Sequence, residues 1–249
     1  IIVGLMAFST FSGLILSYRM EKTMPVGSKE KFHWNLFKDT WLSYRKITEN
    51  KKIKNNIHAI SWFWAMGIVY TTQLPVFTQI YMGGCAHVFS ILLAVFSISI
   101  GLGSLTCAKI SDGKIVKQFV IFGAIGIAFF SMILIGFNFH PHDHCLGLAE
   151  FSSSWHGVVN YVLIFMIGFS AGFYSVTCYN ELQVISPIEM LSQVIGVNNV
   201  LNSCYMLFCS LICILILFFV SLWWLFVITI ISNLFFALWY LRVNFEPST

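Results

Sequence analysis

The sequence predicts an all-α, polytopic membrane protein: a major-facilitator-like bundle of six helices preceded by one further helix. Three observations carry the first part of that expectation. Apolar residues make up 58% of the 249 and charged residues only 10%, far from the roughly 25% charged residues of a soluble domain. That composition excludes a water-soluble globule and a disordered chain alike. The apolar residues fall in seven stretches, at 1–18, 58–78, 87–107, 118–138, 157–180, 192–217 and 221–241, none with an Asp, Glu, Lys or Arg. Each reaches or approaches the ~20 residues that cross a ~30 Å hydrocarbon core. Finally, the 14 Lys and Arg are segregated along the chain.

The first stretch, 1–18, opens on Ile1 inside an apolar run with no basic segment before it. This is a poor signal peptide, and the expectation is a chain whose upstream spans are missing. Residues 19–57 form the one long hydrophilic stretch and hold ten of the 14 basic residues. Within it Trp34, Phe37, Trp41, Leu42 and Ile47 recur near helical spacing among lysines, which predicts an amphipathic helix at the membrane surface. The second span, 58–78, carries Thr71, Thr72 and Gln73 just before Pro75. The third and fourth are joined by a turn holding Lys109, Lys114 and Lys117. The fifth ends in Tyr174, Thr177, Asn180, Glu181 and Gln183; the sixth carries Asn198, Asn199 and Asn202; Phe218 to Val220 alone separate the last two, a tight hairpin.

Segments 79–86, 139–156 and 218–220 contain no Lys or Arg, so all 14 lie on one side. Such asymmetry orients membrane proteins with the basic side cytoplasmic. The carboxyl end is therefore expected inside and residue 1 outside. The net charge of +4 reads as topology and attraction to anionic lipid heads, not as a nucleic-acid surface.

Motifs for chemistry are sparse. His140, His142, Asp143, His144 and Cys145 resemble metal ligands in type, but adjacent residues in a Pro-containing loop rarely converge on one ion, so no metal and no cofactor is expected. Cys85 and Cys145 share the side without Lys or Arg, where an oxidising exterior allows a disulfide. No nucleophile–base pattern and no Gly-rich phosphate loop occurs, and no enzyme activity is expected. Polar residues within spans are costly in lipid and face a cavity or another helix. Gly168-Phe-Ser-Ala-Gly172 is a small-xxx-small pattern that permits close helix approach.

The basic linker followed by six spans with short loops resembles the second half of a major facilitator superfamily transporter, a fold of two six-helix halves. On that resemblance residues 1–18 are the last helix of the first half, 19–57 the cytoplasmic linker and 58–245 the second half. The turn Gly103-Ser104-Leu105-Thr106-Cys107-Ala108-Lys109-Ile110-Ser111-Asp112-Gly113-Lys114 occupies the place of the superfamily's helix-connecting motif. Ile60-Ser61-Trp62-Phe63-Trp64, Gln73-Leu74-Pro75, Phe96 to Leu105, Gly172-Phe173-Tyr174 with Gln183, Asn198-Asn199-Val200-Leu201-Asn202 and the opening Trp34-Asn35 resemble the bacterial lysophospholipid transporter family. The chain departs from that pattern at Asp112, Thr177, Asn180, Glu181, Glu189 and Gln193.

The resemblance implies a lysophospholipid substrate moved across the bacterial inner membrane by alternating access. It implies an N-terminal transporter half as partner, membrane lipids around it, and a lysophospholipid acyltransferase in its service; some members are fused to such an enzyme and to an acyl carrier protein ligase. Expected substrate contacts are Trp62, Thr72, Gln73, Tyr174, Asn198, Asn199 and Asn202. Expected gating or helix-connecting residues are Gly103, Asp112, Gly113, Lys114, Glu181 and Gln183. The alternatives are a facilitator for another small solute, or a half-transporter that is inactive or dependent on a separate partner chain. A seven-helix receptor or light sensor is disfavoured because the last span has no Lys for a retinal Schiff base and the long first inner loop, 19–57, is unusual for that class.

Overall fold

The computed structural model describes residues 2–19, 36–142 and 144–245. It is all-α, as the composition predicts, and its long apolar helices make it a polytopic membrane protein. Among the described residues the only β contact is an isolated bridge between Gly84 and Leu146. Helix α1, Ile2–Tyr18, belongs to a separate compact unit; its side chains at Met6, Phe8 and Phe11 are exposed. Trp34 and Asn35 lie outside the described residues, as does Asp143.

The second unit begins with α2, Leu36–Thr48. It is the amphipathic helix expected. Ile47 is buried and Tyr44 packs beside it on the core, whereas Trp41 and Leu42 are exposed. Positions 44 and 47 are one turn apart, and that stripe faces α8 and α3. Trp41 and Leu42 are left to meet lipid, where an apolar residue loses nothing by exposure.

Six long helices follow: α3 (Lys51–Ile80), α4 (Ala86–Ser111), α5 (Gln118–Phe137), α7 (Trp155–Ile185), α8 (Leu191–Leu217) and α9 (Leu222–Phe245). A short α6, Leu148–Ser153, and a 3-10 turn at Ile188–Met190 were not expected from the sequence. Five helices, α4, α5, α7, α8 and α9, are both long and apolar enough to span a membrane. The predicted second span corresponds to α3, which starts seven residues earlier than expected. Its 30 residues give about 45 Å of helix, ample to cross, but Asn, Thr, Gln and Trp lower its hydropathy. The reason is its position. α3 contacts α4, α7, α8 and α9, so Asn56, Ser61 and Thr78 are buried against protein, while the exposed Thr71 and Thr72 donate back to carbonyls of their own helix.

α7 is the second hub, packed between α4 and α5. Both of its crossings are built on glycine. A Cβ at Gly103 would collide with the Phe169 carbonyl, and one at Gly172 with the Ile100 carbonyl and the Ser104 amide. Only Gly lets the α4 and α7 backbones approach that closely. Gly123 of α5 sits as tightly against Ser170 and Tyr174.

The helices alternate in direction, and contacts at each end prove it. At one end Asn56 of α3, Lys117 before α5, Glu181 of α7 and Tyr240 of α9 meet. At the other, the His142 amide donates to the Ile80 carbonyl, and the Leu146 amide to the Gly83 carbonyl. Cys85 and Cys145 form a disulfide there. The lysines and arginines of the described helical unit flank the first end; the disulfide marks the opposite one.

Candidate functional site

The seven expected substrate contacts do not converge. Asn198 and Asn202 share a face of α8, as their spacing requires, but that face is buried on α3, and Asn199 points to the exposed side. Asn202 Oδ1 accepts from Ser61 Oγ at 2.9 Å. Asn198 is wholly buried, and neither its amide nitrogen nor its oxygen has a partner. A buried, unmatched amide costs about 1–3 kcal/mol. Tyr174 is fully buried and donates to the Ala59 carbonyl at 2.7 Å, a tie between α7 and α3. Thr72 donates back to the Ile68 carbonyl, and Gln73 donates to Thr72 Oγ1. Trp62 Nε1 donates to Asn233 Oδ1 at 3.3 Å, while Asn233 Nδ2 donates to the Ala124 carbonyl at 2.7 Å. That chain links α3, α9 and α5. Asn233 stands in the sequence as an amide inside an apolar span, and no local pattern pairs it with Trp62 or Ala124.

Cavities, in contrast, are well defined. One of about 390 Å³ lies between α3, α4 and α7, lined by Phe63, Trp64, Tyr70, Phe96, Tyr174 and Tyr179 among others. A second of about 590 Å³ lies between α8 and α9 over α3, with Trp62, Leu201, Tyr205, Phe208, Ile212 and Ile228 in its walls. Both fall in the 300–1,000 Å³ range of small-molecule sites. Neither lining contains an Asp, Glu, Lys or Arg. Of the expected substrate contacts, Trp62 borders the second and Tyr174 the first.

The expected gating residues divide into three roles. Gly103 is the tight helix crossing already described. Asp112 ends α4 with φ 47° and Gly113 follows at φ 73°. Two successive residues in the left-handed region suit glycine, and Asp is one of the few other residues that adopts that conformation readily. Lys114 and Gln183 are exposed.

Glu181 is the centre of a network. Its carboxylate is buried, and its Oε1 lies 2.7 Å from Lys117 Nζ. Its Oε2 accepts from Asn56 Nδ2 at 3.0 Å and from Tyr240 OH at 3.3 Å. Four elements are thereby joined at the basic end. The sequence marked Glu181 alone; Asn56, Lys117 and Tyr240 lie 59 to 125 positions away from it, and nothing local pairs them. Thr177, another departure from the family pattern, donates to the Phe173 carbonyl at 2.8 Å and meets Cys107 Sγ. These departing residues are thus satisfied within the helix interfaces.

The histidine loop has a structural place. Cys145 is bonded to Cys85 and so is not a ligand. His142 and His156 rings stand 5.5 Å apart, and His156 stacks on Phe137. Among the described residues no three His, Cys, Asp or Glu side chains gather as a metal site.

No protein-family model, curated protein or solved structure matches the chain. The functional reading therefore rests on the residues and their geometry.

Proposed function

We propose that this chain is the carboxyl-terminal half of a major-facilitator-type transporter that moves a single-chain phospholipid by alternating access. The observation that carries the reading is the character of the cavities: chain-sized, apolar, free of charged side chains and bordered by neutral hydrogen bonders. A lysophospholipid needs an apolar wall for its acyl chain and uncharged hydrogen bonders for its glycerol, while its charged headgroup stays outside these linings. A charged, hydrophilic solute would need the ionic partners these linings lack.

The arrangement of helices supports the same reading. α3 and α7 are covered on most sides, whereas α4 and α8 carry long exposed apolar faces, including Ile98, Leu102, Leu105, Leu207 and Leu211. A second helical half docking on part of that surface would close the α3–α4–α7 cavity into a path at the membrane midplane. Trp64 and Thr71, exposed beside this cavity, would then face the partner half. The disulfide end belongs on the oxidising side and the lysine-rich end in the cytoplasm, the orientation of a bacterial inner-membrane carrier. Phospholipid delivered to the cytoplasmic side would be reacylated by a separate acyltransferase.

The test is transfer of a fluorescent lysophosphatidylethanolamine across vesicles containing the full-length protein, followed by albumin back-extraction. The proposal expects protein-dependent transfer, lowered by Tyr179→Ala in the cavity wall at unchanged abundance. Transfer equal to empty vesicles, together with accumulation of a soluble solute, would assign the protein to the other facilitator class.

A further inference from the structure

The trough between α8 and α9 continues into a second hollow. That hollow, about 540 Å³, is lined by His58, Trp62, Tyr205, Ser232, Phe236 and Trp239 and shares Trp62, Tyr205 and Ser232 with the trough. The two form one groove with unlike ends. Toward the α8–α9 hairpin its walls are aliphatic, from Ile212 and Ile216 to Leu225 and Ile228. Toward the basic end it presents His58, whose Nδ1 lies 2.8 Å from Tyr205 OH, with the Trp239 indole opposite. Lys54 is exposed one helical turn before His58 on the same face of α3. An apolar groove capped by hydrogen-bonding aromatics and a cation is the complement of a lipid: chain along the groove, phosphate at its mouth.

We infer that this groove is a binding site for an anionic phospholipid of the basic-side leaflet, with one acyl chain held between α8 and α9 and its headgroup phosphate at Lys54, His58 and Tyr205. This site is separate from the α3–α4–α7 cavity and does not depend on what that cavity carries. In a bilayer any acyl chain can fill an apolar groove, so the headgroup end makes it a site. The phosphate draws on one cation and two polar side chains, at the depth where juxtamembrane lysines meet anionic lipid heads. Trp62 and Trp239 line the same hollow as His58 and Tyr205.

The groove carries its own reporters, because Cys204 and Cys209 line it while Cys107 and Cys178 are buried elsewhere. The full chain in detergent is titrated with phosphatidylglycerol, with phosphatidylcholine of the same chains, or with glycerol 3-phosphate. N-ethylmaleimide modification of each cysteine is then read by mass spectrometry. Phosphatidylglycerol is expected to protect Cys204 and Cys209 at lower concentration than phosphatidylcholine. Lys54→Gln should raise the phosphatidylglycerol midpoint by about three- to fivefold, the scale of one exposed ion pair, and Ile212→Trp should abolish lipid-dependent protection by filling the groove. Unmodified Cys107 and Cys178 report that each variant is folded. Equal protection by the two lipids would overturn the headgroup assignment. Protection by glycerol 3-phosphate alone would overturn the lipid. Protection without added lipid that disappears on removing residues 1–18 would mean that α1 covers the groove.

Discussion

Lys117→Met should destabilise the helical unit far more than Glu181→Gln, although both remove the same ion pair. Glu181 is the buried partner: its side chain is 4% exposed, that of Lys117 32%. Removing the lysine leaves a carboxylate in the interior with only Asn56 and Tyr240 to donate to it. Stranding one member of a buried pair costs about 3–5 kcal/mol. Removing the carboxylate is milder. The amide of Gln still accepts from Asn56 or Tyr240, and Lys117, already a third exposed, turns to water. The expected loss is about 1 kcal/mol, the scale of one hydrogen bond. The double variant should recover most of the Lys117→Met loss, since the stranded charge is gone, and the cycle gives the coupling between the two residues. Unfolding of each protein in one detergent, followed by tryptophan fluorescence, measures all three. A Lys117→Met variant no less stable than Glu181→Gln would refute the argument, because the carboxylate would then have found solvent or another cation.

Other outcomes follow from the same geometry. Asn198→Leu removes an amide with no partner at either atom and should raise stability by about 1–3 kcal/mol; a drop measured by the same unfolding assay would show that the amide is satisfied. Gly172→Ile must push the α7 backbone off Ile100 and Ser104, and should lower stability by about 1–3 kcal/mol or more, whereas Gly101→Ile, with open space around it, should change thermal unfolding little. Peptide mapping without reductant should recover a Cys85–Cys145 peptide that separates on reduction; recovery of both as free thiols would contradict the bridge.

Much of the fold was legible because crossing a membrane demands length and apolarity, and both are written along the chain. The hairpin at Phe218–Val220 and the extents of α5 and α8 came within a residue or two of expectation. The close crossing at Gly168 and Gly172 was legible too, because only small residues allow it. Which face of a helix meets protein was not. In lipid, an outward Leu and an inward Leu cost the same, so hydropathy could not distinguish Trp41 from Ile47 on α2. α3 was misjudged at its start because its first two turns are polar yet packed against neighbours. The candidate site was legible in type alone. Tyr174, Asn198 and Asn202 are polar residues inside the bundle, as their place in apolar spans implies, but their spacing cannot reveal that Tyr174 and Asn202 tie helices together while Asn198 is buried without a partner. The Asn56–Lys117–Glu181–Tyr240 network needs four separate elements, which no local pattern predicts.

A transport path through this bundle requires that its two ends lie on opposite sides of a bilayer. Single cysteines at Lys52, Lys114, Ser153 and Val220, introduced with Cys204 and Cys209 replaced by Ser, test this with a membrane-impermeant maleimide applied to intact cells and to inverted vesicles. Cysteines at 153 and 220 should label only in cells, and those at 52 and 114 only in inverted vesicles. Labelling of all four from one side would contradict the alternating helices and, with them, any path through the membrane.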